Sequence, residues 1–408
     1  MDSITVGLDA KRIVRNATGL GSYGRTLVRD LSLIPGLALR LYAPDAGRDD
    51  LRNQVVGDLP SDRESQVAGN LQSPTFCYPK GWQPLGKSYW RTRGMVKQLR
   101  NDGVQVYHGL SGELPIGLQQ AGIRSVVTIH DLIFMRHPEW YNVADVKIYT
   151  SKFRHALQEA DVIVAISECT RRDICELGAE QDVSLNKLEQ KVELIYQSCA
   201  TRFSAMPIGT IPDDMTMKLI WFVHSHYDLP DRYILSVGTI EERKNALLAV
   251  KALHRLPDDL SLVLVGRATD YAAQVWSYAK ESGLGDRVVM LHDVPDEHLP
   301  AIYRLAEAFV YPSRYEGFGI PIIEAIRMGL PVAACTGSCL EEAGGPHSLY
   351  VDPDDDEAMA AAISRLLCGA PGREQRIAES QDYIRRFENT DAAQHFADLY
   401  RRLATVTP

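Results

Sequence analysis

The sequence predicts two α/β domains built on parallel, doubly wound sheets. Short apolar runs alternate with stretches of helical period along most of the 408 residues. The alternation breaks once, around 180–230, and then resumes. The length exceeds what one ordinary core supports and points to two or three domains.

The elements follow in order. ITVGLDA (4–10) reads as a buried strand, then a glycine-containing loop, then a helix in YGRTLVRDLSLI (23–34). LRLYA (39–43), VQVYHG (104–109), SVVTIHD (125–131) and DVIVAIS (161–167) read as further strands, with a helix in VKIYTSKFRHALQEA (146–160). GAEQDVSLNKLEQK (178–191) is polar, and MPIGTIPDDMTMK (206–218) is rich in proline and methionine, so a domain junction is placed at 203–228. Beyond it RYILSVG, LSLVLVG, RVVML, AFVYPS and PVAAC read as strands separated by four helices. The resulting division is 1–205, 228–385, and a terminal helix within 386–408 that packs back on the first domain. The coarse picture is two similar domains with a cleft between them.

Composition narrows the function. The chain is 45% hydrophobic and 24% charged, a globular balance. Its net charge of −9 argues against nucleic acid as a partner. Residues 1–205 hold 25 Lys+Arg and 23 Asp+Glu (25 − 23 = +2), and the remainder holds 19 and 30 (19 − 30 = −11). The two halves therefore suit different partners. Seven scattered cysteines without a CxxC pair read as reduced, cytosolic thiols. The first twenty residues lack a signal-peptide pattern, and no run approaches eighteen apolar residues.

The stretch RYEGFGIPIIEAIRMG (314–329) places Glu316 and Glu324 around two glycines and a proline. Pro321 suits a first helical turn and Gly329 a helix stop. Glu316 is then expected in a loop and Glu324 in the first turn, where the helix dipole favours a carboxylate. Gly317 and Gly319 admit a close ligand, and the helix start can hold an anion. A sugar nucleotide has that order of groups: hydroxyls, phosphates, hydroxyls. A capped helix without a ligand explains the spacing about as well. VGTIEERKN (237–245) follows a strand and brings Arg243 and Lys244 to a loop–helix border, where they could meet a diphosphate or simply be solvated. TGLGSYGR (18–25) has glycines like those of nucleotide loops, without the full GxGxxG spacing. His130 and His108 stand at strand ends, the edge where open α/β sheets bind ligands.

These four elements together resemble a retaining glycosyltransferase of family 4, with the GT-B fold of two Rossmann-like domains facing each other across a cleft. The likeness is strongest over 5–30, 105–175, 233–250 and 310–330. EGFGIPIIE matches the family's E-x7-E signature, and VGTIEERKN, HGLSGELP and TIHDLIF…ISECTRRDI are similar to bacterial mannosyltransferases of O-antigen and exopolysaccharide synthesis. The resemblance implies that Glu316 contacts the donor hexose and Glu324 the ribose. It implies backbone N–H contacts from Phe318, Gly319 and Ile320, and a diphosphate held by Arg243 and Lys244. Gly19 and Gly21 would approach from the first domain, and His130 would lie near sugar and acceptor. The base would rest near His292–Val294, with Val294 as a backbone contact. Many relatives carry arginine where this chain has Thr239, which leaves Arg243 as the substitute. The expected donor is GDP-mannose and the acceptor a saccharide or lipid-linked saccharide. No metal or other cofactor is expected, since DPDDDEA (352–358) contains DxD only by letter and reads as an acidic helix cap. The retaining step would be front-face attack with the leaving phosphate as base. Glu316→Ala is expected to abolish transfer and leave the fold intact.

Three other readings stay open: a UDP- or dTDP-sugar transferase, a GT-B sugar-nucleotide 2-epimerase, and a non-catalytic sugar-nucleotide sensor. A further expectation concerns 78–100, which carries six cations and no carboxylate, interleaved with Tyr78, Trp82, Tyr89 and Trp90. It reads either as a solvated loop and helix or as a peripheral contact with anionic lipid on the cytoplasmic face of the inner membrane.

Overall fold

Strands that are apolar at every position must be covered on both faces, and parallel pairing with helical crossovers achieves this. The computed structural model describes residues 3–17, 19–56, 72–80, 86–203, 213–387 and 389–405. The chain divides into a first unit, Met1–Ala200 with Phe387–Pro408, and a second, Thr201–Arg386.

The first unit holds β1 (Ile4–Asp9), β2 (Leu37–Tyr42), β3 (Thr75–Cys77), β4 (Val106–Gly109), β5 (Arg124–Ile129), β6 (Val162–Ala165) and β7 (Val192–Leu194). They form one parallel sheet in the order β3-β2-β1-β4-β5-β6-β7. Successive residues of a strand point to opposite faces. Val126 and Val164 accordingly join Val6 and Leu8 in one core. Val127, Ile163 and Ala165 join Tyr107 in the other.

The second unit holds β8 (Tyr233–Val237), β9 (Ser261–Val265), β10 (Val288–Leu291), β11 (Ala308–Tyr311), β12 (Val332–Cys335) and β13 (Leu349–Val351), parallel in the order β10-β9-β8-β11-β12-β13.

β3, β7 and β13 have three residues each and lie at sheet edges, too short for a periodic signal in the sequence. The polar stretch 178–191 is not a structural break. Its helix Leu185–Lys191 buries Leu188 completely and leads straight into β7. The second unit begins before residue 228. The helix Asp214–His226 is capped by Asp213, which accepts from the Thr216 N–H at 2.7 Å, and packs against the helix Leu299–Leu305. Residues 204–212 of the expected junction lie outside the described residues.

The terminal helix Asn389–Thr405 packs on the helix Gly19–Ser32 and on β1 and β4 of its own unit, burying Phe396, Ala397 and Tyr400. This contact decides the place of His108. Its ring is fully buried, bracketed by the Tyr400 hydroxyl at 2.7 Å and the Thr128 hydroxyl at 2.8 Å. Burial, with a smaller push from His130, lowers its pKa to about 3, so it is a neutral core residue and not part of a ligand edge. Tyr400→Phe would strand one buried ring nitrogen and should cost about 1–3 kcal/mol, read from urea unfolding of the full chain. A loss below about 0.5 kcal/mol would show that the bond does not anchor this helix.

Candidate active site

Each sheet reverses its order of strand addition once, between β1 and β4 and between β8 and β11. Loops leaving the carboxyl ends of such neighbours diverge and open a crevice. Arg243, Lys244, Glu316 and the residues up to Glu324 follow β8 and β11 in this way, and Gly19 and Gly21 follow β1; His130 follows β5 and Val294 follows β10.

In the second unit the loop after β8 makes a short 3-10 turn, Glu242–Lys244, closed by Asn245 in a left-handed conformation at φ 55°. Asn245 holds that strained turn by donating to the Pro353 carbonyl at 2.8 Å. Arg243 and Lys244 are thereby aimed at the loop after β11. There Glu316 is 8% exposed and sits at the centre of a polar cluster. It accepts from Ser313 Oγ at 2.6 Å, from the Tyr311 hydroxyl at 3.2 Å, from Arg243 Nη1 at 3.0 Å, and from Lys244 Nζ. Burial alone would raise its pKa, but Lys244 and Arg243 overcome that and hold it at about 2. Arg243 also donates to the Tyr315 carbonyl and pairs with Glu241, and its pKa is raised by those carboxylates against the effect of burial. Lys244 donates to the Tyr311 hydroxyl at 2.8 Å.

Glu316 lies in the loop, as expected, but it is buried there, and Arg243 and Lys244 are not solvated cations: both are ion-paired to it. An ammonium has three donors, so Lys244 keeps one donor beyond those given to Glu316 and Tyr311. Tyr311 and Ser313 were missed in the sequence, where a hydroxyl at a strand end carries no signal of its own.

The helix that follows, Ile320–Arg327, is turned by Gly319 at φ 106°. A Cβ there would meet Leu340 and Ala343 at 3.1 and 3.3 Å, so glycine is required twice over. Phe318 is buried and Ile320 opens the helix. Glu324 is the helix's fifth residue, not a first-turn residue, and the first turn contains no acid. Its carboxylate accepts from the Tyr303 hydroxyl at 2.9 Å, beside the Arg202–Asp296 ion pair. Burial raises its pKa to about 7. Val294 is half-buried in the loop after β10, close in sequence to Asp296. Asp355 caps the helix Asp356–Ser364, accepting from the Ala358 N–H, as the acidic run 352–358 suggested.

Gly19, Gly21 and His130 belong to the first unit. The glycines are not a loop: both lie in the first turn of the helix Gly19–Ser32. Gly21 is required by packing, because a Cβ would fall 1.8 Å from the Asn16 carbonyl oxygen. Gly19 is open to solvent. Thr18 lies outside the described residues. His130 stands just past β5, its Nε2 2.8 Å from the Leu110 carbonyl and its ring edge-on to Tyr23 at 4.7 Å. Burial lowers its pKa to about 4.

Of the six cations in 78–100, Arg93, Lys97 and Arg100 are exposed and make no ion pair among the described residues, but the other three are paired. Arg91 is drawn inward between Asp9 at 3.1 Å and Glu113 at 3.0 Å, Lys87 pairs with Asp45, and Lys80 with Asp102. Trp90 is buried, and Trp82 lies outside the described residues. The carboxylates that absorb these cations are distant in sequence, which is why the stretch looked uncompensated. Among the described residues no helix is long and apolar enough to cross a membrane.

Two doubly wound parallel-sheet units, the second with the Glu316 cluster at its reversal edge, define the GT-B class. Residues 19–185 match the family described as Glycosyltransferase Family 4, and residues 221–382 that described as Glycosyl transferases group 1. The chain belongs to the family 4 glycosyltransferases and is an enzyme of glycosyl transfer. O-antigen chain mannosyltransferase B of Escherichia coli is 28% identical over 395 residues, 95% of this chain and 96% of that protein. O-antigen chain mannosyltransferase RfbU of Salmonella typhimurium is 33% identical over 41% of this chain and 45% of its own. Sucrose-phosphate synthase from Thermosynechococcus elongatus has the same fold, with a TM-score of 0.72 at 20% identity over 98% of this chain and 99% of that one. So does WaaG, a glycosyltransferase involved in lipopolysaccharide biosynthesis, with a TM-score of 0.69 at 14% identity over 97% of this chain and 99% of that one.

Two outcomes test the electrostatics. Glu316→Ala leaves Arg243 and Lys244 facing each other without their buried counter-ion. It should destabilise the second unit by about 3–5 kcal/mol, with Glu316→Gln losing less because its amide oxygen still accepts; equal, small losses in denaturant unfolding would refute the pairing. Glu324 behaves oppositely. Its folded pKa lies above the usual value of about 4.3, so the folded state binds the extra proton and stability falls as pH rises from there through about 7. Glu324→Gln should therefore gain stability relative to wild type between pH 5 and 9. A difference independent of pH would exclude a raised Glu324.

Proposed function

We propose that the chain is a retaining hexosyltransferase that moves mannose from GDP-mannose onto a glycan or lipid-linked saccharide in bacterial surface polysaccharide synthesis. One observation carries the chemistry. A buried carboxylate, Glu316, is held between Arg243 and Lys244 at the reversal edge of the unit that matches the group 1 glycosyl transferases. The sugar and the pathway rest on likeness to the mannosyltransferases, above all the one matched along nearly the whole chain.

In this reading the anomeric carbon gains oxocarbenium character while negative charge grows on the leaving diphosphate. Preorganised cations at that point lower the barrier without reorganising. Lys244 meets the phosphate with its remaining donor, and Arg243 shifts part of its charge from Glu316. The N–H groups of Phe318, Gly319 and Ile320 add dipoles of the same sign. Glu316 sets the two cations and faces the hexose, and Glu324 takes the ribose hydroxyls. Val294 contributes backbone contact to the base. The leaving phosphate accepts the acceptor's proton on the same face, which retains configuration, and the charge is met without a metal.

The deciding measurement is calorimetric titration with GDP, UDP, dTDP and ADP. GDP should bind at least tenfold more tightly than the others, about 1.4 kcal/mol or more, and the product from GDP-mannose should keep the donor's anomeric configuration by NMR. Tighter binding of UDP would reassign the donor.

A further inference from the structure

The first unit contains a cavity of about 220 Å³ at the carboxyl edge of its sheet, with His130 on its wall, and no part of the mechanism above uses it. Arg12, Glu113, His130, Phe134, Tyr149 and Lys152 line it. At about 30 Å³ per water it has room for about seven waters, the scale of one sugar ring. One wall is aromatic: Phe134 packs edge-on to Tyr149 at 5.5 Å and to Tyr141 at 6.5 Å. Apolar walls with a few fixed polar groups are the usual make-up of a small-ligand pocket.

The charged groups differ in how they are paired. Glu113 is shared by Lys152 at 2.8 Å and Arg91 at 3.0 Å, and Arg91 also pairs with Asp9. Asp131 accepts from the Ile133 N–H. The charged side chains that line the cavity are Arg12 and Lys152 against Glu113 and Asp131, 2 − 2 = 0, and Glu113 is already taken by Lys152 and by Arg91 behind it. His130 is neutral at physiological pH because of its burial and adds nothing. Arg12 stands apart from these pairs. It is half-buried on the cavity wall and, among the described residues, makes no ion pair and no side-chain hydrogen bond. A guanidinium in such a place is a fork aimed at a carboxylate or phosphate.

We propose that this cavity binds a pyranose unit bearing a negative charge, a phosphate ester or a ring carboxylate, with Arg12 meeting the charge and the Phe134–Tyr149 wall covering the ring. The proposal rests on the hexosyltransferase reading only in taking that unit to belong to the acceptor. Arg12 then selects among acceptors and leaves the donor's affinity alone. Lys152 and Glu113, fixed against each other, offer the ring hydroxyls one donor and one acceptor.

The test titrates the full chain, at constant ionic strength and by ligand-observed NMR, with mannose 6-phosphate, methyl glucuronide and methyl α-mannoside. At least one anionic probe should bind tenfold or more tightly than the neutral one. Arg12→Gln should remove that margin and Arg12→Lys keep part of it, while GDP affinity stays within twofold in all three proteins. Preference for the phosphate or for the carboxylate probe identifies which anion is read. Equal binding of charged and neutral probes overturns the proposal. So does a fall in GDP affinity in Arg12→Gln, which would assign the guanidinium to the nucleotide. If GDP binds but no sugar probe does, the cavity is not a sugar site and the nucleotide-sugar reading stands. If no nucleotide binds, that reading fails and the sugar titration still decides the cavity.

Discussion

Parallel strands cannot be joined by a tight turn, and this one constraint organises both units. Each strand must be followed by a crossover long enough to return along the sheet, and a helix satisfies its own backbone on the way. All carboxyl ends then lie at one edge. The loops that leave them are free of sheet pairing, so they can carry strained and charged residues that a strand could not. Asn245 at φ 55°, Gly319 at φ 106° and the cluster around Glu316 are all found there.

Charge within these edges is arranged so that desolvation is met locally. Taking a carboxylate out of water is costly, and its partner must be close to repay it. Glu316 has two cations and two hydroxyls. Glu324, with one hydroxyl and a neighbouring ion pair, is not fully repaid and holds its proton to a higher pH. Two carboxylates with seven residues between them thus differ by several units in pKa, and the difference comes from their surroundings rather than from the signature that contains both.

The same logic explains the basic stretch of the first unit. Folding brings Asp9, Asp45, Asp102 and Glu113 to three of its six cations, so a run that is one-signed in sequence is partly mixed in space. Arg93, Lys97 and Arg100 stay exposed at the surface, whereas Arg12 is half-buried on a cavity wall and, among the described residues, makes no ion pair; nothing in the letters around it singles it out.

The strand–helix alternation, the length and the E-x7-E and ERKN stretches were enough to determine two parallel α/β units and the family, because burial on both faces leaves a periodic trace in the letters. The second-unit residues at the reversal edge were legible for the same reason, since their loops sit at fixed places after strands. Three-residue edge strands left no such trace. Tertiary structure alone decided that His108 is core, held by Tyr400 from nearly three hundred residues away, and that Gly19 and Gly21 begin a helix. It alone decided that Arg243 and Lys244 are spent partly on Glu316, and that Arg12 has no ion pair among the described residues. Each of these depends on which charge or ring arrives from a distant strand, and one-dimensional spacing carries no record of that.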